Sequence, residues 1–207
     1  FVPHIEASDT AEDGEVLYPK TWDIASFSDD DLIVCRNTAP LIELAYKCIS
    51  EGKEVHVMGR EIGKGLVNVI KKAGGKRIST IEELRPKLDT WEQRQIAKAD
   101  RDDAKIAAIQ DRVECIHILT AGLETIKQLI DAIEAIFSDK QGGTKLATVH
   151  KAKGLEAPRV FILEPSLMPS KWARQEWQQE QERNLQYVAV TRALETLVYL
   201  PLEIVGA

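Results

Sequence analysis

The chain lacks most of the features by which a function is usually read from composition. It has only three cysteines in 207 residues, Cys35, Cys48 and Cys115. They are widely spaced, odd in number and form no C-x-x-C pair, which excludes a disulfide framework and a cysteine zinc site; a reducing cytosol is the expected setting. No apolar run approaches the roughly 20 residues needed to cross a bilayer, and no signal-peptide pattern opens the chain, so no membrane association is expected. There is no basic excess: the formal net charge is −6, which taken as a sum argues against nucleic acid. Two nucleotide-binding elements are also missing. No G-x-x-x-x-G-K-[ST] occurs, so no loop cradles phosphates, and no D-E-x-[DQ] follows an apolar strand to hold magnesium. GREIGKGL, residues 59–66, comes near the first pattern, but Gly63 and Lys64 are followed by Gly65 rather than Ser or Thr. The first residue is Phe1 rather than Met, as expected of a fragment or processed chain.

What is present is a globular composition, 44% hydrophobic and 29% charged, with α/β texture and a helical interruption. Residues 1–30, with Pro3 and Pro19, read as an irregular lead-in. The apolar run at 31–36 predicts a buried strand, and Asn37, Thr38 and Pro40 open a helix with Leu41, Leu44, Ala45 and Cys48 on one face and Gly52 as its stop. Residues 54–59 predict the next strand. Gly63, Gly65, Gly74 and Gly75 read as punctuation around a helix striped by Leu66, Val69 and Ile70. Ser79 with Glu82 predicts a capping box, and Pro86 is tolerated near that helix start or at a kink. Residues 91–119 read as an exposed helical pair, 125–137 as a strongly amphipathic helix, and Gly142 and Gly143 close the interruption. Strands follow at 145–150, 159–165 and 196–201, with a turn at Gly154 and Pro158 and a helix over 178–193. Buried strands alternating with helices imply a mostly parallel sheet covered on both faces.

Charge distribution qualifies the net value. The acidic excess sits at 6–15, at 29–31 and in the helices of 81–139, whereas 145–159 holds Lys145, Lys151, Lys153 and Arg159 against Glu156 alone. A local basic strip suits a salt-sensitive phosphate contact. Ligands of open parallel sheets bind beyond the carboxyl ends of strands, where the run from His150 to Pro158 is expected to emerge. Gly154 permits close backbone approach, Glu156 offers a carboxylate to a ribose hydroxyl, and Thr148 and His150 supply donors to a phosphodiester. Taken singly, a turn Lys or Glu is usually solvated and a lone His usually a satisfied polar residue. Gathered in one loop between two buried strands, they point to a ligand. Arg192 has two readings as well. An arginine late in a helix often complements the dipole, yet this one follows the apolar run 187–190, where a charge needs a partner. A phosphate held by a neighbouring domain would supply one, as with an arginine finger.

Two of these segments resemble motifs V and VI of UvrD/Rep-type superfamily 1 helicases. The T-x-H-x-A-K-G-L-E pattern is matched by Thr148, His150, Ala152, Lys153, Gly154, Leu155 and Glu156. The Y-V-A-x-T-R-A pattern is matched by Tyr187, Val188, Ala189, Thr191, Arg192 and Ala193, preceded by an E-x-N-L element at Glu182 to Leu185. IVCRNTAPL, residues 33–41, is similar to the start of the same domain. The resemblance implies a RecA-like, P-loop NTPase-type three-layer fold without its own P-loop: the second motor domain at 31–80 and 140–207, with a helical insertion at 81–139. It implies that Arg192 reaches the γ-phosphate and that Gly154 and Glu156 lie on the nucleotide side. Thr148, His150, Arg36 and Asn37 would face single-stranded DNA. ATP and Mg2+ would be held mainly by an N-terminal RecA-like domain, so the fragment alone is expected to be inactive, in a bacterial or phage-type cytoplasm. The family's upstream arginine, in an N-Y-R-S element, is missing. The motor of a helicase-nuclease, or a non-enzymatic interaction module, remain alternatives. No nuclease carboxylate cluster is present, and a scaffold has no need of Glu156 and Arg192.

Overall fold

The structure, a computed structural model, describes residues 13–75, 78–138 and 142–202. Six strands form one sheet: β1 (Glu15–Leu17), β2 (Leu32–Cys35), β3 (Val55–Val57), β4 (Thr144–Thr148), β5 (Ala157–Leu163) and β6 (Ala193–Leu200). Their order is β1-β6-β5-β2-β4-β3, and every pairing is parallel. Parallel strands need crossovers, and the helices supply them on both faces. The two-residue alternation of strand side chains divides the core accordingly. Ile33, Cys35, Leu146, Phe161, Leu163, Val198 and Leu200 point into one apolar layer. Leu32, Val34, Ala147, Val160, Ile162 and Leu197 point into the other. This is the α/β, RecA-like architecture expected from the sequence.

The larger layer is built by α1 (Ala39–Ser50), α2 (Arg60–Gly74), α3 (Ile81–Lys98), α4 (Asp103–Leu119) and α5 (Ile126–Ile136). The smaller is covered by α6 (Glu176–Val190), through Leu185 and Ala189. Leu84 and Leu88 of α3, Val113, Cys115, Ile116 and Leu119 of α4, and Leu129 and Ile133 of α5 share one core with Ile33, Leu41 and Ile70. The pair expected to be exposed is therefore anchored along one stripe, because isoleucine and valine at helical spacing in α4 bury against α1. Among the described residues no helix is long and apolar enough to cross a membrane.

Several local expectations shift. Gly63 and Gly65 lie inside α2 rather than breaking it, and Gly75, at φ +71°, ends it. A Cβ on Gly63 would meet Phe137 at 3.0 Å, so the residue's smallness serves a close helix contact. The α3 capping box uses Thr80 and Glu83, one position beyond Ser79 and Glu82: Glu83 N–H donates to Thr80 Oγ1 at 3.3 Å, and the Glu83 carboxylate accepts from Ser79 N–H at 3.1 Å. Pro86 falls within α3, which continues to Lys98. Pro158 is in β5, not a turn. It sits at a register shift against β6 and before the β2 pairing begins at Val160, so its missing N–H breaks no ladder bond. Within the lead-in, Glu15–Leu17 forms the exposed edge strand beside β6.

Candidate functional site

The sheet separates the candidate residues into two groups. At its carboxyl edge, β2 delivers Arg36, Asn37 and Thr38 and β4 delivers Thr148 and His150, side by side because β2 and β4 are neighbours. Arg36, Asn37, Thr148 and His150 all line one open cleft of about 790 Å3. The cleft is also walled by α4, by α6 and by the loop after β5. Val149 N–H donates to the Cys35 carbonyl at 2.9 Å, which fixes the exit of β4 against that of β2. The four residues expected to face a strand are thus gathered in one place.

Within the cleft, Arg36 is held by Glu182, a residue whose role was not assigned from the sequence. Arg36 Nε donates to Glu182 Oε2 at 3.0 Å and Nη2 donates to Oε1 at 2.7 Å. Ser170 N–H donates to the same carboxylate at 2.9 Å. Glu182 is only 5% exposed. Burial alone raises its carboxyl, but the Arg36 bonds, the Ser170 N–H and nearby His150 outweigh that and hold it below the ordinary glutamate value. The pair clamps α6 to the end of β2, with Arg36 on the wall of the cleft. His150 is pushed below its usual value by partial desolvation, then by the charges of Arg36 and Lys153. At neutral pH it therefore enters as a neutral imidazole able to donate or accept.

Asp111 of α4 forms a second tie. It accepts Thr38 N–H at 3.1 Å and Ala39 N–H at 3.0 Å, while Thr38 makes no side-chain cap of its own. A carboxylate from a distant helix thus caps α1, where free N–H groups and the helix dipole favour an anion. Sequence spacing carries no signal of such a partner.

Gly154, Glu156 and Arg192 lie elsewhere. The expectation that the run from His150 to Pro158 sits at the carboxyl edge applies only to its beginning. Residues 149–156 cross the α6 face of the sheet, with Val149 and Ala152 buried in the smaller core, and deliver Glu156 to the amino end of β5. Arg192 immediately precedes β6, which pairs with β5. Its Nη1 donates to the Leu155 carbonyl at 2.9 Å, Nε to the Val188 carbonyl at 3.0 Å, and Nη2 to Thr191 Oγ1 at 3.0 Å. The arginine is half-buried, its charge solvated by acceptors from both flanking segments. Glu156 is exposed beside it. Gly154 stands at φ +81° with open space around a would-be Cβ, so its backbone conformation accounts for the glycine.

The basic strip of 145–159 does not form one surface. Lys145 lies at the start of β4 and Lys151 pairs with Glu61 of α2. Arg159 is held by buried Asp31 at 2.7 Å, which raises its already high pKa. A strand–loop–strand segment that traverses the sheet distributes its cations over both edges. The cleft's wall also carries Asp111, Glu114 and Lys171, and Lys171 and Arg174 flank Trp172; basic residues interleaved with tryptophan are the signal that was there to find. Among the described residues, no group of three or more His, Cys, Asp or Glu is placed to hold a metal ion. GREIGKGL folds as the start of α2 and offers no phosphate-cradling loop.

The model of the UvrD-like helicase C-terminal domain matches residues 30–200. A stretch of 68 residues is 47% identical to the ATP-dependent DNA helicase PcrA of Staphylococcus epidermidis, covering 30% of this chain and 9% of that protein. Another of 60 residues is 47% identical to DNA helicase II of Escherichia coli, covering 28% of this chain and 8% of that protein. The PcrA of Staphylococcus aureus is 45% identical over 65 residues, 29% of this chain and 9% of that protein. Each of these matches spans less than a tenth of the relative's length.

Proposed function

Because the chain belongs to the UvrD-like helicase C-terminal domain family, we propose that it is the second motor half of an ATP-dependent DNA translocase. In this reading it supplies an arginine finger and one side of a single-strand path. The supporting observation is the placement of the two residue groups at opposite edges of one sheet, joined by residues 149–156. β4 is five residues long, so at ~3.3 Å per residue that segment spans roughly 17 Å. A first RecA-like domain, carrying a phosphate loop and the Mg2+ site, binds the triphosphate and faces the amino edge. ATP bound there supplies the phosphoryl charge and, on hydrolysis, removes it.

Arg192 then carries the signal. Of its five N–H donors, three are committed to Leu155, Val188 and Thr191. Turning the guanidinium toward a γ-phosphate competes with the Leu155 bond and frees the carbonyl adjoining Glu156. In this reading the exposed Glu156 accepts from a ribose hydroxyl. The released segment runs directly to His150 and Thr148, whose grip on the strand shifts with it. Cycles of closure and opening around the nucleotide give directional movement. The chain alone, without a phosphate-cradling loop, hydrolyses nothing.

In a polypeptide carrying both motor halves, Arg192→Ala should depress strand-stimulated ATP hydrolysis by about 10³-fold or more, the usual worth of an arginine finger. Binding of a fluorescent ATP analogue should be largely retained. Wild-type turnover in that variant would remove Arg192 from the mechanism.

A further inference from the structure

The cleft at the carboxyl edge does not end at His150. A second hollow, of about 580 Å3, continues from it toward the start of α4. The two share Ala104, Ala108, Trp172, Trp177 and Gln178 as walls. The alanines of α4 leave one side low, and the indoles make the other side flat.

Trp177 is 55% exposed. Its one polar atom, Nε1, donates to Gln175 Oε1, so the part facing solvent is the apolar ring rather than a hydrogen-bonding edge. Trp172, partly buried beside the same groove, has the Lys171 ammonium 5.0 Å and the Arg174 guanidinium 6.0 Å from its ring centroid. Arg174 is also tied to Asp103 of α4 at 3.2 Å. Lys171 has no carboxylate partner within ion-pair distance among the described residues. An exposed indole and a lysine on the wall of one cleft match the two surfaces an unpaired nucleotide presents, its base and its phosphate. A duplex conceals the base face, which selects a single strand.

We propose that Trp177 stacks a base of single-stranded DNA while Lys171 holds an adjacent phosphate, carrying the strand path from His150 onward toward α4. The proposal rests on the reading of the carboxyl edge as the strand-binding side. It assigns the residues of the 171–177 segment a contact that the paired motifs do not contain.

The test is binding of a fluorescent oligo(dT) to the 207-residue chain, with the affinity measured over a range of salt from about 50 mM upward. Trp177→Ala should weaken binding by about tenfold with the salt slope unchanged, and Trp177→Phe should recover most of the loss. Lys171→Ala should lower the slope by about 0.7, the value for one phosphate of a single strand. Trp177 is on the surface, and an unchanged circular dichroism spectrum checks that each variant folds. Wild-type affinity in Trp177→Ala overturns the proposal while leaving the carboxyl-edge reading intact. Equal losses in the Ala and Phe variants also overturn it. If the unsubstituted chain fails to bind the oligonucleotide even at low salt, the carboxyl-edge reading falls, and the stacking proposal with it.

Discussion

Replacing Glu182 with alanine removes the clamp between α6 and the end of β2. The carboxylate accepts two bonds from Arg36, at 3.0 and 2.7 Å, and one from Ser170 N–H at 2.9 Å. Its loss leaves a cation and a backbone donor without their partner. Breaking a buried pair from one side costs about 3–5 kcal/mol, and the 25% exposure of the Arg36 side chain lets water offset part of this. We expect about 3 kcal/mol, a large share of a total stability of roughly 5–15 kcal/mol. At about 2–4 °C per kcal/mol for a chain of this size, Tm falls by roughly 6–12 °C. Glu182→Gln, which keeps the shape and loses the charge, should fall between. The sign of the pH dependence follows from the lowered carboxyl. The folded value lies below the unfolded one, so the contribution is complete above about pH 4.3 and disappears as pH drops through the folded value. Melting curves by circular dichroism at neutral pH and in acid read both effects, the gap between the two proteins narrowing as pH falls. A loss under about 2 °C at neutral pH would refute the clamp.

Four further expectations follow from the packing. Gly65→Ala should stabilise by up to about 1 kcal/mol in urea unfolding, since α2 gains helix propensity and nothing lies within 4 Å of the new Cβ. Gly63→Ala should destabilise by about 1–2 kcal/mol because Phe137, buried against it, stands at 3.0 Å. Burial pushes the Cys35 thiol up to about 12 and the Cys48 thiol up to about 11, and raises Cys115 as well. Iodoacetamide at about pH 8 should therefore label none of them in the folded chain and all of them in urea; rapid native labelling would contradict the burial. The depressed His150 makes the unfolded chain hold more protons between its folded value and about pH 6.5, so stability falls as pH drops through that window. His150→Asn should remove this part of the pH dependence of Tm, and an unaltered profile would count against it.

Five of the six strands were legible because they announce themselves as short apolar runs, such as 32–35 and 160–163, set between turn formers, whereas β1, three exposed residues within the stretch read as an irregular lead-in, was not. Its helices were less so. Gly63 reads as a breaker in sequence, and only the approach of Phe137 explains a glycine there. Ser79 with Glu82 fits a capping box on paper, and the helix instead starts one residue later, on Thr80 and Glu83. The motif residues were nameable, but their separation was not. The run from Thr148 to Glu156 looks like one loop, and it takes the strand order to see that it crosses the sheet. Contacts from far along the chain left no trace in spacing: Glu182 on Arg36 and Asp111 on Thr38 join residues 146 and 73 positions apart.

The central claim is that Arg192 at one edge and the strand-binding residues at the other respond to each other through residues 149–156. Its most direct test is the affinity for oligo(dT) of a polypeptide with both motor halves, measured with and without a non-hydrolysable ATP analogue. In the unsubstituted protein the nucleotide should change that affinity by about 5–150-fold, the usual range of coupling between sites. In Arg192→Ala the nucleotide-free affinity should stay the same and the change should vanish. A full nucleotide effect in that variant, with the analogue shown to be bound, would contradict the account.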